Sequence, residues 1–181
     1  MSSTAPDGDS PFYLEIQRVP GLKITGRTLL RQAVRAIVNH DGKLLMVYST
    51  VNGDYKFPGG GTKSSERHEQ ALLRELREET GFNLKNMIRL AGTTLEYDRV
   101  YEKNYDVFKM YSYYYYCQIK DEVNAPDLDP YEADLGFTTV WVSCSDALEN
   151  NRRLMETNNP EIPGWLKRET SVLSILKNVI G

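Results

Sequence analysis

The distribution of apolar and polar positions along the chain predicts both strands and helices. An apolar run at 33–38 is followed by the turn sequence Asn-His-Asp-Gly at 39–42 and by a second apolar run at 43–48. Two apolar runs joined by a short turn that contains Asp-Gly are typical of a β-hairpin. Three later segments have the composition of further strands: 87–97, 107–120 and 136–142.

The longest helical segment covers residues 66–80. It contains no Pro or Gly and is rich in Ala, Leu, Glu, Arg and Gln, which favour helices. Ser65 is placed to act as its N-cap, and Gly81 suits the left-handed residue that ends many helices.

Other segments are less regular. Ser143 or Ser145 is expected to cap a second helix that begins near Asp146, and apolar spacing predicts a C-terminal helix over 165–180. The rest of the chain is extended or irregular: a flexible polar tail at 1–11, an extended arm at 12–24 and an acidic loop at 121–134.

The helix over 66–80 has three faces of different chemistry. At about 100° per residue, Glu75, Glu78 and Glu79 share one face. A second face is apolar and is expected to dock on the core: Leu72, Leu73 and Leu76. The remaining face is expected to be solvated: Gln70, Arg74 and Arg77.

Three carboxylates on one face repel one another, and two of them lie in the last turn, at the negative end of the helix dipole. A hard divalent cation with oxygen ligands compensates such a cluster. The alternative is a solvated acidic face that Arg74 and Arg77 partly neutralise.

A glycine-rich segment precedes this helix. Phe57 and Pro58 indicate the end of a strand, and Gly59, Gly60 and Gly61 allow the backbone to approach another group closely. Placed before an acidic helix, such a loop is expected to bring backbone groups to a metal and to phosphates. Lys63 either contacts a phosphate or remains solvated.

The stretch from Gly60 to Phe82 resembles the Nudix box, G-x5-E-x7-R-E-U-x-E-E-x-G-U, where U is an apolar residue, and every specified position is filled. The resemblance implies an α/β Nudix fold, with a mixed β-sheet between α-helices. It also implies hydrolysis of a nucleoside diphosphate linked to another moiety, with Mg²⁺ as the cofactor and Mn²⁺ as a substitute.

The resemblance also implies roles for individual residues. Glu78 and Glu79 match metal ligands, and Glu75 matches either a ligand or the group that accepts a proton from water. The backbone of Gly60 is expected at the metal, and Gly59, Gly60, Gly61 and Lys63 at the substrate. Arg74 is expected to act through an ion pair with Glu66. One further carboxylate is expected from the loop, either Glu132 or its rival Asp134.

Length and composition set the wider expectations. A chain of 181 residues is long enough for a single domain, here 12–181, and its net charge of −3 argues against nucleic acid polymers and membranes as partners. Two cysteines, Cys117 and Cys144, fit buried thiols and a cytoplasmic location. His40 and His68 are expected at the surface rather than in a zinc site. A homodimer is compatible with the sequence.

The substrate is not specified by the sequence. Residue patterns that mark Nudix enzymes of ADP-ribose, NADH and coenzyme A are absent, which leaves a nucleoside triphosphate or a modified nucleotide. Base stacking on Tyr111, Tyr113 or Tyr115 is one possibility, although aromatic residues also suit half-buried strands. The alternative function is a nucleotide sensor or scaffold without turnover.

Overall fold

A computed structural model describes residues 10–157 and 162–180 of the chain. The strands are β1 Phe12–Gln17, β2 Thr28–Ile37, β3 Asn39–His40, β4 Lys43–Ser49, β5 Tyr55–Lys56, β6 Phe82–Asp98, β7 Val107–Val123 and β8 Phe137–Ser143. The helices are α1 His68–Thr80, α2 Pro130–Asp134, α3 Cys144–Glu156 and α4 Leu166–Ile180. Most of the predicted tail at 1–11 lies outside the described residues.

The described strands form two four-stranded sheets. The first has the order β1-β6-β7-β2, in which the central pair is antiparallel and both outer strands run parallel to their neighbours. In the second sheet β4 is central: β3 and β5 pair with one of its edges and β8 pairs with the other. The predicted mixed sheet with flanking helices is therefore confirmed, and the α/β class with it.

The predicted hairpin is only partly correct. Its turn is present, and Asn39 and His40 pair with the start of β4. The apolar run before the turn, however, belongs to β2, which pairs with β7 in the other sheet. The opposite edge of β2 bonds to the glycine-rich segment: the amides of Val34 and Ala36 donate to the carbonyls of Gly60 (3.0 Å) and Pro58 (2.8 Å). This contact places the glycine-rich segment beside the sheet.

The acidic segment 121–134 is more regular than predicted. β7 continues to Val123, and a short helix, α2, begins after Asp129. The Asp129 amide donates to the side chain of Glu132 (3.1 Å), a contact that stabilises the first turn of α2. A sequence window without periodicity does not reveal such a one-turn helix.

Helix α1 begins later than predicted. Its N-cap is Arg67, and Ser65 has a φ of 65° in the turn before it. Ser65 does not cap the helix because Glu66 is held by the loop: its side chain accepts from the Lys63 amide (2.8 Å) and from Arg74. Gly81 ends the helix with a φ of 75°, as predicted. At α3, Ser143 is the N-cap and accepts from the Asp146 amide at 3.0 Å.

The two largest apolar clusters of the described residues lie between the sheets and the helices. Leu72 and Leu76 of α1 are fully buried with Val34 and Leu45 of the strands. Leu73, predicted to dock with them, is 48% exposed because it lies on the outer side of the helix. The second core lies under α3 and α4 and includes Met46, Phe57, Leu148 and Leu173.

Candidate functional site

The acidic face of α1 lies against the glycine-rich segment. Glu75 and Glu79 are buried, with 8% and 1% of their surfaces exposed, and Glu78 is half-buried. Both oxygens of Glu79 have partners: Oε1 lies 2.5 Å from the Lys56 ammonium, and Oε2 accepts from the Gly59 amide at 2.7 Å. The acidic face is therefore an internal site rather than a solvated surface.

Arg74 lies at the centre of the site, not on the solvated face where the sequence predicts it. Its Nε and Nη2 donate to the two oxygens of Glu66, both at 2.9 Å, so the predicted ion pair is present. Its Nη1 contacts Glu75 (2.5 Å) and Glu78 (3.1 Å), and its Nη2 also donates to the Gly61 carbonyl (3.0 Å). The hydrogen bond from Arg74 lowers the pKa of Glu66 to about 2.

The glycines are required where the loop touches these groups. A Cβ on Gly60 would lie 2.5 Å from the Glu75 carboxylate, and one on Gly59 would lie 2.1 Å from the Val34 carbonyl oxygen. Gly59 also has a φ of 135°, which side-chain-bearing residues rarely adopt. Any larger residue would push the loop away from α1 and β2.

Two cations of the site were not predicted. Lys56, the residue before Phe57, is buried between Glu79 and the ring of Phe137, whose centroid is 4.5 Å from the ammonium. Arg35 of β2 is 8% exposed and donates from Nη1 to the Gly59 carbonyl, while its buried Nε has no partner. For Lys56 the neighbouring glycine-rich segment is an available signal, whereas Arg35 lies 24 residues before Gly59 in an apolar run that does not reveal its distant partner.

The loop carboxylates have different environments. Glu132 is half-buried, and burial together with the charge of Glu79 raises its pKa to about 7. Asp134 is exposed at the end of the same helix. Of the two candidates for a further carboxylate, Glu132 is the one that lies beside Glu79 at the acidic site. Lys63 is exposed, and its backbone amide donates to Glu66.

A stripe of tyrosines lies beside the first residue of α1. His68 is half-buried, with Nδ1 2.7 Å from the Tyr115 hydroxyl and its ring 4.5 Å from the ring of Tyr113. Tyr111 stacks on Tyr113 with 6.2 Å between centroids. On the opposite face of β7, Tyr114 is fully buried, so the predicted alternation is correct. Tyr111 and Tyr113 keep part of their rings exposed.

The chemistry of the donors fits a hard divalent cation. All of them are oxygens, and burial together with the negative charge of Glu79 raises the pKa of Glu75. Within the described ranges, however, no three His, Cys, Asp or Glu side chains stand close enough to hold an ion as they are. Arg74 and Lys56 balance the carboxylates instead. The Gly60 carbonyl accepts from the Val34 amide.

Both cysteines are free and buried, as predicted, and burial raises the pKa of Cys117 to about 12. Across the described residues, no helix is both long and apolar enough to cross a bilayer. His40 lies exposed at its turn.

Comparison with known proteins identifies the class of protein that this fold and site define. The profile of the NUDIX domain matches residues 29–165, so the chain belongs to the NUDIX family. An RNA pyrophosphohydrolase of Edwardsiella ictaluri is 29% identical over 133 residues, which are 71% of this chain and 62% of that protein. The CTP pyrophosphohydrolase of Escherichia coli is 41% identical over 54 residues, or 28% of this chain and 40% of that protein.

The chain spans less than two thirds of the length of the curated relatives that it matches. Among solved structures, the ORF135 protein of E. coli superimposes with a TM-score of 0.51 and 21% identity, over 83% of this chain and 90% of that one. A NUDIX hydrolase from Nitrosomonas europaea superimposes with a TM-score of 0.51 and 19% identity, over 80% of this chain and 90% of that one. At these identities the structural likeness establishes the fold.

Proposed function

We propose that this protein is a divalent-metal-dependent pyrophosphohydrolase that acts on a nucleoside triphosphate or a modified nucleotide. The observation that carries the proposal is the contact between the glycine-rich segment and α1: Gly59 and Gly60 lie directly on Glu79 and Glu75. Membership of the NUDIX family and the pyrophosphohydrolase activity in the names of its relatives support the reaction class.

The carboxylates of Glu75, Glu78, Glu79 and Glu132, with the backbone of Gly60, are the groups that would hold Mg²⁺ or Mn²⁺. When bound, such an ion polarises phosphate oxygens and lowers the pKa of a coordinated water. Before binding, ion pairs with Arg74 and Lys56 offset part of the negative charge of the cluster, which limits the repulsion among its carboxylates.

We assign proton transfer to the two carboxyl groups whose pKa is raised by burial, Glu132 and Glu75. Burial raises the pKa of Glu132 to about 7, which suits a group that accepts a proton near neutral pH, and the pKa of Glu75 is raised for the same reason. Either group can fill this role.

The substrate is expected to extend from the glycine-rich segment onto the tyrosine stripe. Gly61 bridges to Ala33 of β2, and Val34, the next residue of β2, pairs with Tyr113 of β7. The loop and the partly exposed ring of Tyr113 therefore lie one strand apart. The phosphates would lie at the loop, with Lys63 beside them, and the base against the part of the Tyr113 ring that remains exposed.

A nucleotide panel tests this function. CTP, the other nucleoside triphosphates, nucleoside diphosphate conjugates and RNA with a 5′-triphosphate are each incubated with Mg²⁺ or Mn²⁺, and released phosphate and pyrophosphate are measured. We expect metal-dependent release from at least one small nucleotide. Release from RNA alone would contradict the small-molecule assignment, and no release with any compound would favour a sensor without turnover.

Glu78→Gln is the sharpest variant for the same assay. Glu78 is half-buried, so the substitution removes a charge with little effect on folding, and turnover is expected to fall by about a hundredfold or more. Glu69→Gln, an exposed position on the same helix, is the matched control. Equal turnover for the two variants would remove Glu78 from the site. Mn²⁺ is also expected to raise the melting temperature of the wild type, and less that of Glu78→Gln.

A further inference from the structure

A cleft of about 470 Å³ opens where the two sheets separate. The pairing of β2 with β7 ends at Ile37 and Tyr116, after which the chain turns into β3 and joins the other sheet. β7 continues to Val123 beside β6 alone. The gap is lined by residues of β3, β6, β7 and β8, and we call it the Trp141 cleft.

The Trp141 cleft is separate from the acidic site. Phe137 of β8 lies under Lys56 in the acidic site, whereas Trp141 is four residues further along the same strand, or about 13 Å away. Between them the Thr139 hydroxyl donates to the carbonyls of Glu79 (3.4 Å) and Thr80 (3.5 Å). The last turn of α1 therefore divides the two sites.

One wall of the cleft is aromatic. The ring of Trp141 meets Phe82 edge to face, with 6.1 Å between centroids and an interplanar angle of 76°. His40 packs on the same indole at 5.9 Å. Trp141 and Phe82 are only partly buried, so a planar ligand can reach the aromatic surface.

The rim of the cleft is cationic although the whole chain carries a net charge of −3. Lys85 and Lys120 line it and are exposed, and neither takes part in an ion pair of the described chain. One acidic residue, Asp121, also lines the cleft. The two ammonium groups favour an anionic ligand.

Amide groups complete the lining. Gln118 accepts from the side chain of Asn86 through Oε1 at 3.0 Å, which leaves its NH₂ group free to donate to a ligand. Asn39 lies on β3 at the edge of the cleft and is exposed. Amide side chains of this kind recognise the polar edge of a heterocycle.

We propose that the Trp141 cleft is a second binding site, for a nucleotide whose base lies against Trp141 and whose phosphate contacts Lys85 and Lys120. The volume falls in the range of small-molecule sites, and the lining combines an aromatic surface, amides and two cations. The open edge of β7 beyond Tyr116 offers a different occupant, an extended peptide added as a strand. The aromatic wall and the two exposed lysines favour the nucleotide.

Indole NMR resonances give a site-specific readout because the chain has two tryptophans, Trp141 and Trp165. Trp165 donates from Nε1 to the buried Asp54 at 2.7 Å and lies outside the cleft, so its resonance is the internal control. Trp141→Phe assigns the two signals. Nucleoside monophosphates are titrated in EDTA, where metal-dependent hydrolysis does not occur, alongside inorganic phosphate and free nucleosides.

We expect a saturable shift of the Trp141 signal with a nucleoside monophosphate and little shift of the Trp165 signal. Lys85→Ala/Lys120→Ala should weaken binding about tenfold or more. Lys103→Ala/Lys177→Ala changes the net charge equally at exposed positions outside the cleft and should bind like the wild type. Glu78→Gln should show the same shift of the Trp141 signal, because Glu78 lies outside the cleft. If the wild type hydrolyses no nucleotide but shows this shift, the proposed function is wrong and the second site stands.

Four results would overturn the proposal. The first is a Trp141 signal that does not move with any nucleotide at millimolar concentration, and the second is a double lysine variant that binds as well as the wild type. The third is an equal shift with equal affinity for inorganic phosphate alone, which would exclude a role for the base. The fourth is a strand-forming peptide that moves the signal when nucleotides do not, which would assign the cleft to a protein partner.

Discussion

The carboxylate of Glu169, on α4, accepts a hydrogen bond from the backbone amide of Phe57 at 3.1 Å. Its other oxygen accepts from Nε and Nη2 of Arg168, at 2.9 and 2.6 Å. Arg168 in turn reaches Glu96 of β6 at 2.6 Å. All three side chains are buried, so the last helix holds the start of the glycine-rich segment through a network inside the protein.

Glu169→Gln is expected to destabilise the protein. Glutamine retains an acceptor for the Phe57 amide but removes a charge beside the buried Arg168, at a cost of about 3 kcal/mol. Urea unfolding measures the change, and Glu149→Gln, an exposed position on α3, is the control. Equal midpoints for the two variants would show that the network contributes little to stability.

Glu79→Gln should also destabilise the metal-free protein. On sequence alone the change relieves repulsion among like charges, but in the structure it leaves the Lys56 ammonium without its charged partner in a site where Glu79 is 1% exposed. Unfolding in EDTA should show a loss of about 2–3 kcal/mol. If the double variant Lys56→Met/Glu79→Gln is no more stable than Glu79→Gln alone, the stranded ammonium is not the cause.

Tyr113→Ala should raise KM for the substrate by about tenfold and lower kcat less. A rise of this size is typical of a lost stacking contact of about 1–3 kcal/mol. Tyr113→Phe keeps the ring and should change KM little. Steady-state kinetics on the nucleotide that the wild type hydrolyses separates the two. An equal rise in KM for both variants would assign the effect to the hydroxyl and not to stacking.

Cys117 should be inert towards alkylation in the folded protein. Burial disfavours the thiolate and raises the pKa to about 12, so at pH 8 the reactive fraction is about one part in ten thousand. Iodoacetamide followed by mass spectrometry should add no label to Cys117 under native conditions, and label both cysteines after unfolding in guanidinium. Rapid native labelling would show that the strand around Cys117 opens readily.

The sequence predicts the parts of the site that lie close together along the chain. Glu75, Glu78 and Glu79 share a face because three and four residues complete about one helical turn, and Gly81 ends the helix for a reason that is equally local. The box motif also implies the pairing of Glu66 with Arg74, since the two residues are eight positions apart on one loop and the helix that follows it.

The remaining features depend on contacts between distant segments. Lys56 and Glu79 are 23 residues apart, and no local pattern shows that they meet. The sequence predicts a solvated Arg74 because the spacing of residues along α1 does not show the glycine-rich segment that covers that side. It predicts a buried Leu73 because neighbouring leucines look alike until the packing direction of the helix is known.

The parallel pairing of the first two strands has a consequence for synthesis on the ribosome. Phe12 pairs with Gly92, and Thr28 with Val107, so each strand leaves the exit tunnel about 80 residues before its partner. At the usual rate of translation that interval is roughly 4–16 s. The apolar side chains of both strands are without their partner strands in the first sheet during this time, which is the interval in which exposed apolar segments of a nascent chain are most prone to associate.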